Sequence, residues 1–195
     1  RSLSSGGAVL ASINSATLLG VGGHPVRVEV HVANGLPAFG VVGLPDASCR
    51  EARDRVRAAL VSSGLAWPSQ RITVNLAPTG VPKAGAVLDL AMAVGLLVAC
   101  GELEPETVDG LAFLGELGLD GSIRPVAGAL PLVDAVEVEG VVVAPENRLE
   151  ASLVEARQVY SVGDLRSLVR ALRGDDEWPA SPDLAEFDEI IQYPD

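Results

Sequence analysis

His24 and His31 are the only histidines in this 195-residue chain, and Cys49 and Cys100 its only cysteines. A zinc centre needs three or four converging nitrogen and sulfur ligands. These four residues form neither a His-Glu-x-x-His nor a Cys-x-x-Cys arrangement. A serine hydrolase built on a triad needs a histidine as base, and neither histidine sits near a nucleophile elbow. Phosphate cradling of the P-loop kind requires Gly-x-x-x-x-Gly-Lys-Ser/Thr, whose amides wrap the phosphates while the lysine neutralises them. Gly20, Gly22 and Gly23 form a glycine cluster without the following Lys-Ser/Thr, which is the pattern of a turn. Metal, triad and P-loop chemistry are therefore not expected.

What remains is charge placed on helices and one loop. Arg50, Arg53 and Arg57 are spaced by three and four residues, which puts them on one face of a helix. Such a ridge suits contact with DNA phosphates or a partner subunit. It also suits a plain solvated face, with Glu51 four residues before Arg55 and Asp54 four after Arg50. Both readings stay open at this stage. Lys83 lies in the loop Pro78–Gly85, where it could pair with Thr79 as an improvised dyad or help hold an anion. The loop has only Gly80 and Gly85 and no glycine-rich run, so its phosphate-binding character is weak. Asp89 is the one charge in an apolar run, and a desolvated carboxylate there needs a partner. It is expected to cap first-turn amides or to pair with an arginine, the alternative being a relic of a catalytic site.

The elements that must position these residues follow from periodicity. Val9–Leu19 and Val26–Val32 read as strands, the second with valines alternating at 26, 28, 30 and 32 so that His31 faces solvent. Ala38–Val42 is a third strand. Asp46 is placed to cap a helix running to Ser63, buried along Ala52, Val56, Ala59 and Leu60. Arg71–Ala77 is a strand, and Ala86–Cys100, apolar nearly all round, is a buried central helix. A strand at Ala112–Leu117, an Asp120-Gly121 hairpin turn and a strand at Ile123–Pro125 come next. Then follow a helix at Ala129–Glu139, a strand at Val141–Ala144, a helix at Glu146–Ala156, a strand at Val159–Ser161 and a helix from the Asp164 cap to Leu172. Early strands with one helix, then strand–helix alternation, predict an α+β domain with helices against a mixed sheet.

Composition bounds the rest. The chain is 48% hydrophobic but only 4% aromatic, so the core is expected to be packed from small aliphatic side chains. Eight acids and no base lie past Arg173, which leaves 18 acids against 14 bases in the remainder, a net of −4 out of −12. The acidity belongs to the tail, and nothing resembles a basic nucleic-acid module. No apolar run is long enough for a membrane span, and two widely separated cysteines suit a reduced, cytoplasmic protein. Residues 1–8 read as a flexible leader, 9–173 as the domain and 174–195 as an acidic linker punctuated by Pro179, Pro182 and Pro194.

Four collinear motifs carry a resemblance: Asn34–Asp46 (Asn-Gly-Leu-Pro-Ala-Phe-Gly-Val-Val-Gly-Leu-Pro-Asp), Arg53–Leu60, Arg71–Pro78 and Phe113–Leu117. They are similar to the N-terminal domain of the ComM/YifB family, the magnesium-chelatase-like AAA+ proteins, over about residues 9–173. The resemblance implies a Lon protease catalytic-domain-like fold, shared with the second domain of a ribosomal protein, ahead of an AAA+ module beyond this chain. It implies ATP and Mg bound by that module, a hexameric ring of subunits, and a DNA-remodelling motor acting in natural transformation and recombination. Lon-type peptidases use a Ser–Lys dyad, the lysine as base and the serine as nucleophile. By resemblance to the Pro82-Lys-Ala-Gly85 loop the serine position falls on Val87, and the lysine position falls at or beside Leu130. Neither side chain can do that chemistry. The expectation is a non-catalytic accessory and assembly domain, whose contacts to DNA or partners come from Arg50, Arg53, Arg57 and Lys83. The alternative is a residual peptidase or a phosphate-binding domain.

Overall fold

The valine alternation of the second strand builds the middle of the molecule. In the computed structural model, which describes residues 9–83 and 86–179, strands β1 (Val9–Leu19) and β2 (Gly22–Ala33) form a long antiparallel hairpin. Val26, Val28, Val30 and Val32 are buried on one face of β2, while Arg27, Glu29 and His31 lie on the other. Strand β4 (Arg71–Ala77) joins β2 antiparallel, and β3 (Ala38–Val42) joins β4 in parallel. The other half of the sheet is parallel: β5 (Leu111–Phe113) beside β1, then β8 (Gly140–Val143) and β9 (Gln158–Ser161). The seven-stranded order is β3-β4-β2-β1-β5-β8-β9. A two-stranded ribbon of β6 (Glu116–Leu117) and β7 (Ile123–Arg124) stands apart, closed by the expected Asp120-Gly121 turn with Gly121 at a φ of 88°.

The halves differ in sequence because they differ in cover. Strands β2 and β4 alternate buried and accessible residues, as a half-covered antiparallel sheet requires. All four residues of β8 are buried, as parallel strands packed on both faces require. Among the described residues five helices supply that cover: α1 (Asp46–Ser62), α2 (Asp89–Ala99), α3 (Ala129–Asp134), α4 (Arg148–Ala151) and α5 (Leu165–Arg173).

Every residue of α2 is buried. It lies so close over the hairpin that a Cβ on Gly95 would stand 2.7 Å from Val30 Cγ2 and 3.2 Å from Ile13 Cγ1. Helix α1 packs on its outer side through Ala52, Val56, Ala59 and Leu60, the predicted stripe. On the opposite face of the sheet α3 seats against β2, where Gly23 leaves room for the Pro131 carbonyl; a Cβ there would come within 1.9 Å of that oxygen. The result is the α+β class with helices on a mixed sheet.

Several expected boundaries move, each for a local reason. The α1 cap position is Pro45, and Asp46 makes no capping bond, whereas Asp164 does cap α5 by accepting from Ser167 N at 2.8 Å. The central helix opens with a 3-10 turn, Ala86–Leu88. The single strand expected at 112–117 breaks at Gly115, whose N–H donates to the Val87 carbonyl and whose carbonyl accepts from Leu90 N. Helix α3 ends at Asp134 rather than 139: Val136 N turns to the Val133 carbonyl and Glu139 N leaves for the Gly110 carbonyl at 3.0 Å, while Arg157 holds the Val136 carbonyl through Nε and Nη2. The helix expected over 146–156 shrinks to α4, preceded by a 3-10 turn that follows the Asn147 side chain into bonds with both Val126 N and Val126 O. Residues 174–177 and 179 are exposed, but the segment is tied to the body by Asp176 on Arg170 and by Trp178, half-buried and tilted against Tyr160 with ring centroids 4.3 Å apart. The leader 1–8 and the rest of the acidic tail lie outside the described residues.

Candidate functional site

The start of α2 and the segment before α3 face each other across a cavity of about 240 Å3. Its walls include Leu18, Val87, Glu116, Val126 and Leu132. Val87 is placed there by the 3-10 turn that feeds α2 and is buried. Leu130 is not in the lining: its side chain is 38% exposed, and its N–H donates to Glu150 Oε1 at 3.0 Å. The inward side chain of α3 is Leu132, two residues on. None of the described residues lining this cavity offers a hydroxyl, an imidazole or an amine; Glu116 is its one ionisable group. Among the described residues this aliphatic wall with its single carboxylate holds neither the serine nor the lysine of a Ser–Lys dyad.

A second, smaller cavity of about 110 Å3 opens between α1 and the start of α2. Ser48, Glu51 and Arg55 enter it from one flank of α1, while Lys83 and Asp89 enter from the loop and from α2. Here the buried Asp89 finds its partner. Arg55 grips it with both prongs, Nε to Oδ2 at 2.6 Å and Nη2 to Oδ1 at 3.1 Å, and Leu117 N donates to Oδ2 at 3.4 Å. Burial pushes the Asp89 carboxyl up to about 6, against the pull of the Arg55 bonds and charge and of the Leu117 amide. The bond to Asp89 in turn raises the Arg55 guanidinium above its usual range. At neutral pH the pair is ionised, bidentate and shielded, and it fastens α1 to α2 and to the β6 ribbon.

Lys83, the only lysine in the chain, is buried too. Its Nζ donates to the Pro78 carbonyl, which closes the loop on itself. Thr79 is exposed while Lys83 is turned inward, so the imagined Thr–Lys dyad is not assembled. Lys83 is likewise not an outward contact, contrary to the expectation that it could reach DNA or a partner: 8% exposure leaves it no surface to present.

The outer face of α1 carries the expected ridge. Arg50 and Arg57 are exposed, and Arg53 is half-buried beside Asp54, with Nη2–Oδ1 at 2.9 Å. The i,i+4 pairs inferred from spacing do not form: Asp54 goes to Arg53, and Arg55 turns away from Glu51 to Asp89. Arg50 and Arg57 make no ion pair among the described residues.

A further cavity, about 610 Å3, corresponds to no motif in the sequence. It lies on the other face of the sheet, between Asn14, Arg27 and Ala77 on the strands and residues 135–138 beyond α3. Its floor polar groups are already engaged, Asn14 Nδ2 with the Leu111 carbonyl and Ser15 Oγ with the Phe113 carbonyl. The one signal for it is the polar phase of β1 and β2, which only the position of α3 turns into a cleft. His31 is half-buried in that phase, less exposed than expected. Among the described residues no three His, Cys, Asp or Glu side chains converge as a metal site would require, and no helix is long and apolar enough to cross a membrane.

Comparison with known proteins places these features in a lineage. A family described as subunit ChlI of Mg-chelatase matches residues 28–147. The uncharacterized protein YifB of Salmonella typhimurium is 38% identical over 180 residues, 90% of this chain and 36% of that protein. Competence protein ComM of Haemophilus influenzae is 37% identical over 179 residues, 91% of this chain and 35% of its own length. An uncharacterized protein of Mycobacterium tuberculosis H37Rv is 44% identical over 163 residues, 82% of this chain and 32% of its own. The chain thus spans about a third of the length of these relatives.

Proposed function

Since the chain belongs to the magnesium-chelatase-like family of ChlI, YifB and ComM, we propose that it is the non-catalytic accessory domain of a longer AAA+ ATPase. It packs beside the motor, supports assembly of a subunit ring, and offers the arginine face of α1 to DNA or to a neighbouring subunit. The parent remodels DNA during transformation and recombination, a reading that the competence name of one relative supports. ATP and Mg act in the ATPase module, not in this domain. Its fold is read as Lon protease catalytic-domain-like.

The observation that carries the proposal is the aliphatic wall at Val87 and Leu132, in the cavity where the resemblance would put a dyad. Support also comes from the second cavity, where the ionisable groups hold helices together: Arg55 and Asp89 bind one another, and Lys83 binds its own loop. The experiment is direct. A serine-directed fluorophosphonate and nucleotide calorimetry are applied to this chain, and neither labelling nor heat of binding is expected. In the full-length protein, replacing Arg50, Arg53 and Arg57 with Gln is expected to weaken DNA binding, with the salt slope falling by about one for each phosphate that is no longer neutralised. Unchanged DNA binding and unchanged assembly would remove the ridge from the proposal.

One observation favours the residual-peptidase alternative: Ser48 and Lys83 line the same small cavity. Fluorophosphonate labelling that is abolished by Ser48→Ala would establish it in place of the accessory reading.

A further inference from the structure

The two edges of the sheet end differently. At the β9 edge the chain folds back after α5: Arg170 holds Asp176 through Nε–Oδ2 at 2.6 Å and Nη2–Oδ1 at 2.9 Å, and Trp178 then covers Tyr160. At the β3 edge none of the described residues pairs with the outer side of the strand, whose one neighbour is β4. Ala38 N–H donates to the Gln70 carbonyl at 3.4 Å, so the backbone groups of 38, 40 and 42 point inward to β4. By alternation the N–H and C=O of Phe39 and Val41 point outward.

Proteins usually blunt such an edge with lysine, a bulge or an inward charge. This one has none of these. Gly35–Pro45 contains no charged residue, and its exposed side chains include Leu36 at 81% and Val42 at 53%. The strand is held firmly from within, since Phe39 packs on Trp67 with ring centroids 5.7 Å apart. A regular, anchored, neutral edge is built to be paired rather than to stay bare.

We propose that β3 pairs with β3 of a second copy of this chain, antiparallel about a two-fold axis through Gly40. In this register Phe39 stands opposite the partner's Val41, and Val41 opposite the partner's Phe39. All four outward-pointing residues then lie in hydrogen-bonded positions, and each pair exchanges both of its N–H···O bonds. Gly40 meets its own copy in the non-hydrogen-bonded position, where Cα atoms approach to about 4.5 Å. A Cβ on Gly40 would meet nothing within 4 Å among the described residues, which leaves that face open to the partner. Self-pairing also suits the missing charge, because a two-fold axis sets each residue near its own kind and any edge charge would repel itself. Pro37 and Pro45 flank the strand and confine the pairing to its five residues.

The test uses this chain. In a Cys49→Ser, Cys100→Ser background, Gly40→Cys is expected to give a disulfide-linked dimer on mild oxidation, since about 4.5 Å between Cα atoms suits the bond. Val21→Cys, which is 96% exposed on the far turn, is expected not to. By sedimentation equilibrium, Gly40→Lys is expected to raise the dimer dissociation constant by about tenfold or more, with the melting temperature of the monomer unchanged. A chain that stays monomeric at about 100 μM overturns the proposal. So does a dimer that survives Gly40→Lys, or one that cross-links as readily through Val21→Cys.

Discussion

Helix α1 carries four arginines within eight residues, and its two sides use them in opposite ways. Arg55, on the flank toward α2, gives both prongs to a buried carboxylate and is itself three-quarters covered. Arg50, Arg53 and Arg57, on the far side, hold nothing but Asp54 among the described residues. The residue type is the same and so is the helix; the surroundings differ. Where water is excluded, the guanidinium must be matched and becomes a structural fastener. Where water is present, an ion pair is worth little, and the charge remains available to an external partner. The proposed contact to DNA or a neighbouring subunit therefore rests on its outer side.

Four measurements can break or sharpen that contrast. Leu60→Ala removes the largest fully buried side chain on the inner stripe of α1 and is expected to cost about 4 kcal/mol, read by urea denaturation. Arg55→Ala strands Asp89 in the interior and is expected to cost about 3 kcal/mol at neutral pH; a loss as small as that of an outer arginine would erase the distinction between the sides.

Next in size is a pH effect. The folded Asp89 carboxyl sits at about 6, above the 3.8 of the free side chain. Between those values the folded chain keeps a proton that the unfolded chain has released. The contribution of this group therefore falls as pH rises through the window and is fully lost above it, by at most about 3 kcal/mol. The stability of the parent chain minus that of Asp89→Asn should decline from pH 4 to pH 6.5 and then level off. A rising difference would mean that the Arg55 bonds outweigh burial. The smallest effect is expected outside: Arg50→Gln, Arg53→Gln and Arg57→Gln should each change stability by less than about 0.5 kcal/mol, as measured by thermal melts.

Reading the chain in order recovers whatever depends on neighbours. The inner stripe Ala52, Val56, Ala59 and Leu60, the strands β1 to β4, the Asp120-Gly121 turn and the Asp164 cap all follow from spacings of two to four residues, and all are present. The misses share one cause. Arg55 has Glu51 one turn away but chooses Asp89, 34 residues on, because only that carboxylate is desolvated. Helix α3 stops early because Glu139 N bonds the carbonyl of Gly110, far back in the chain, instead of a helical one. Lys83 reads as an exposed loop cation until its Nζ is seen bonded inside the loop. Residue order puts the lysine position of a dyad at Leu130, yet the α3 side chain that reaches the cavity is Leu132; helix rotation selects it.

Residue types and their spacing were enough to establish the alternation of the strands, the amphipathic helices, the absence of a phosphate loop or metal motif, and the family. Those are properties of short stretches, where backbone preference and apolar periodicity act over a few bonds. Which charge is buried, which carbonyl ends a helix, where the cavities open and which sheet edge stays uncovered depend on groups far apart in the chain. Their energies come from desolvation and close packing, and both exist only once the layers have come together.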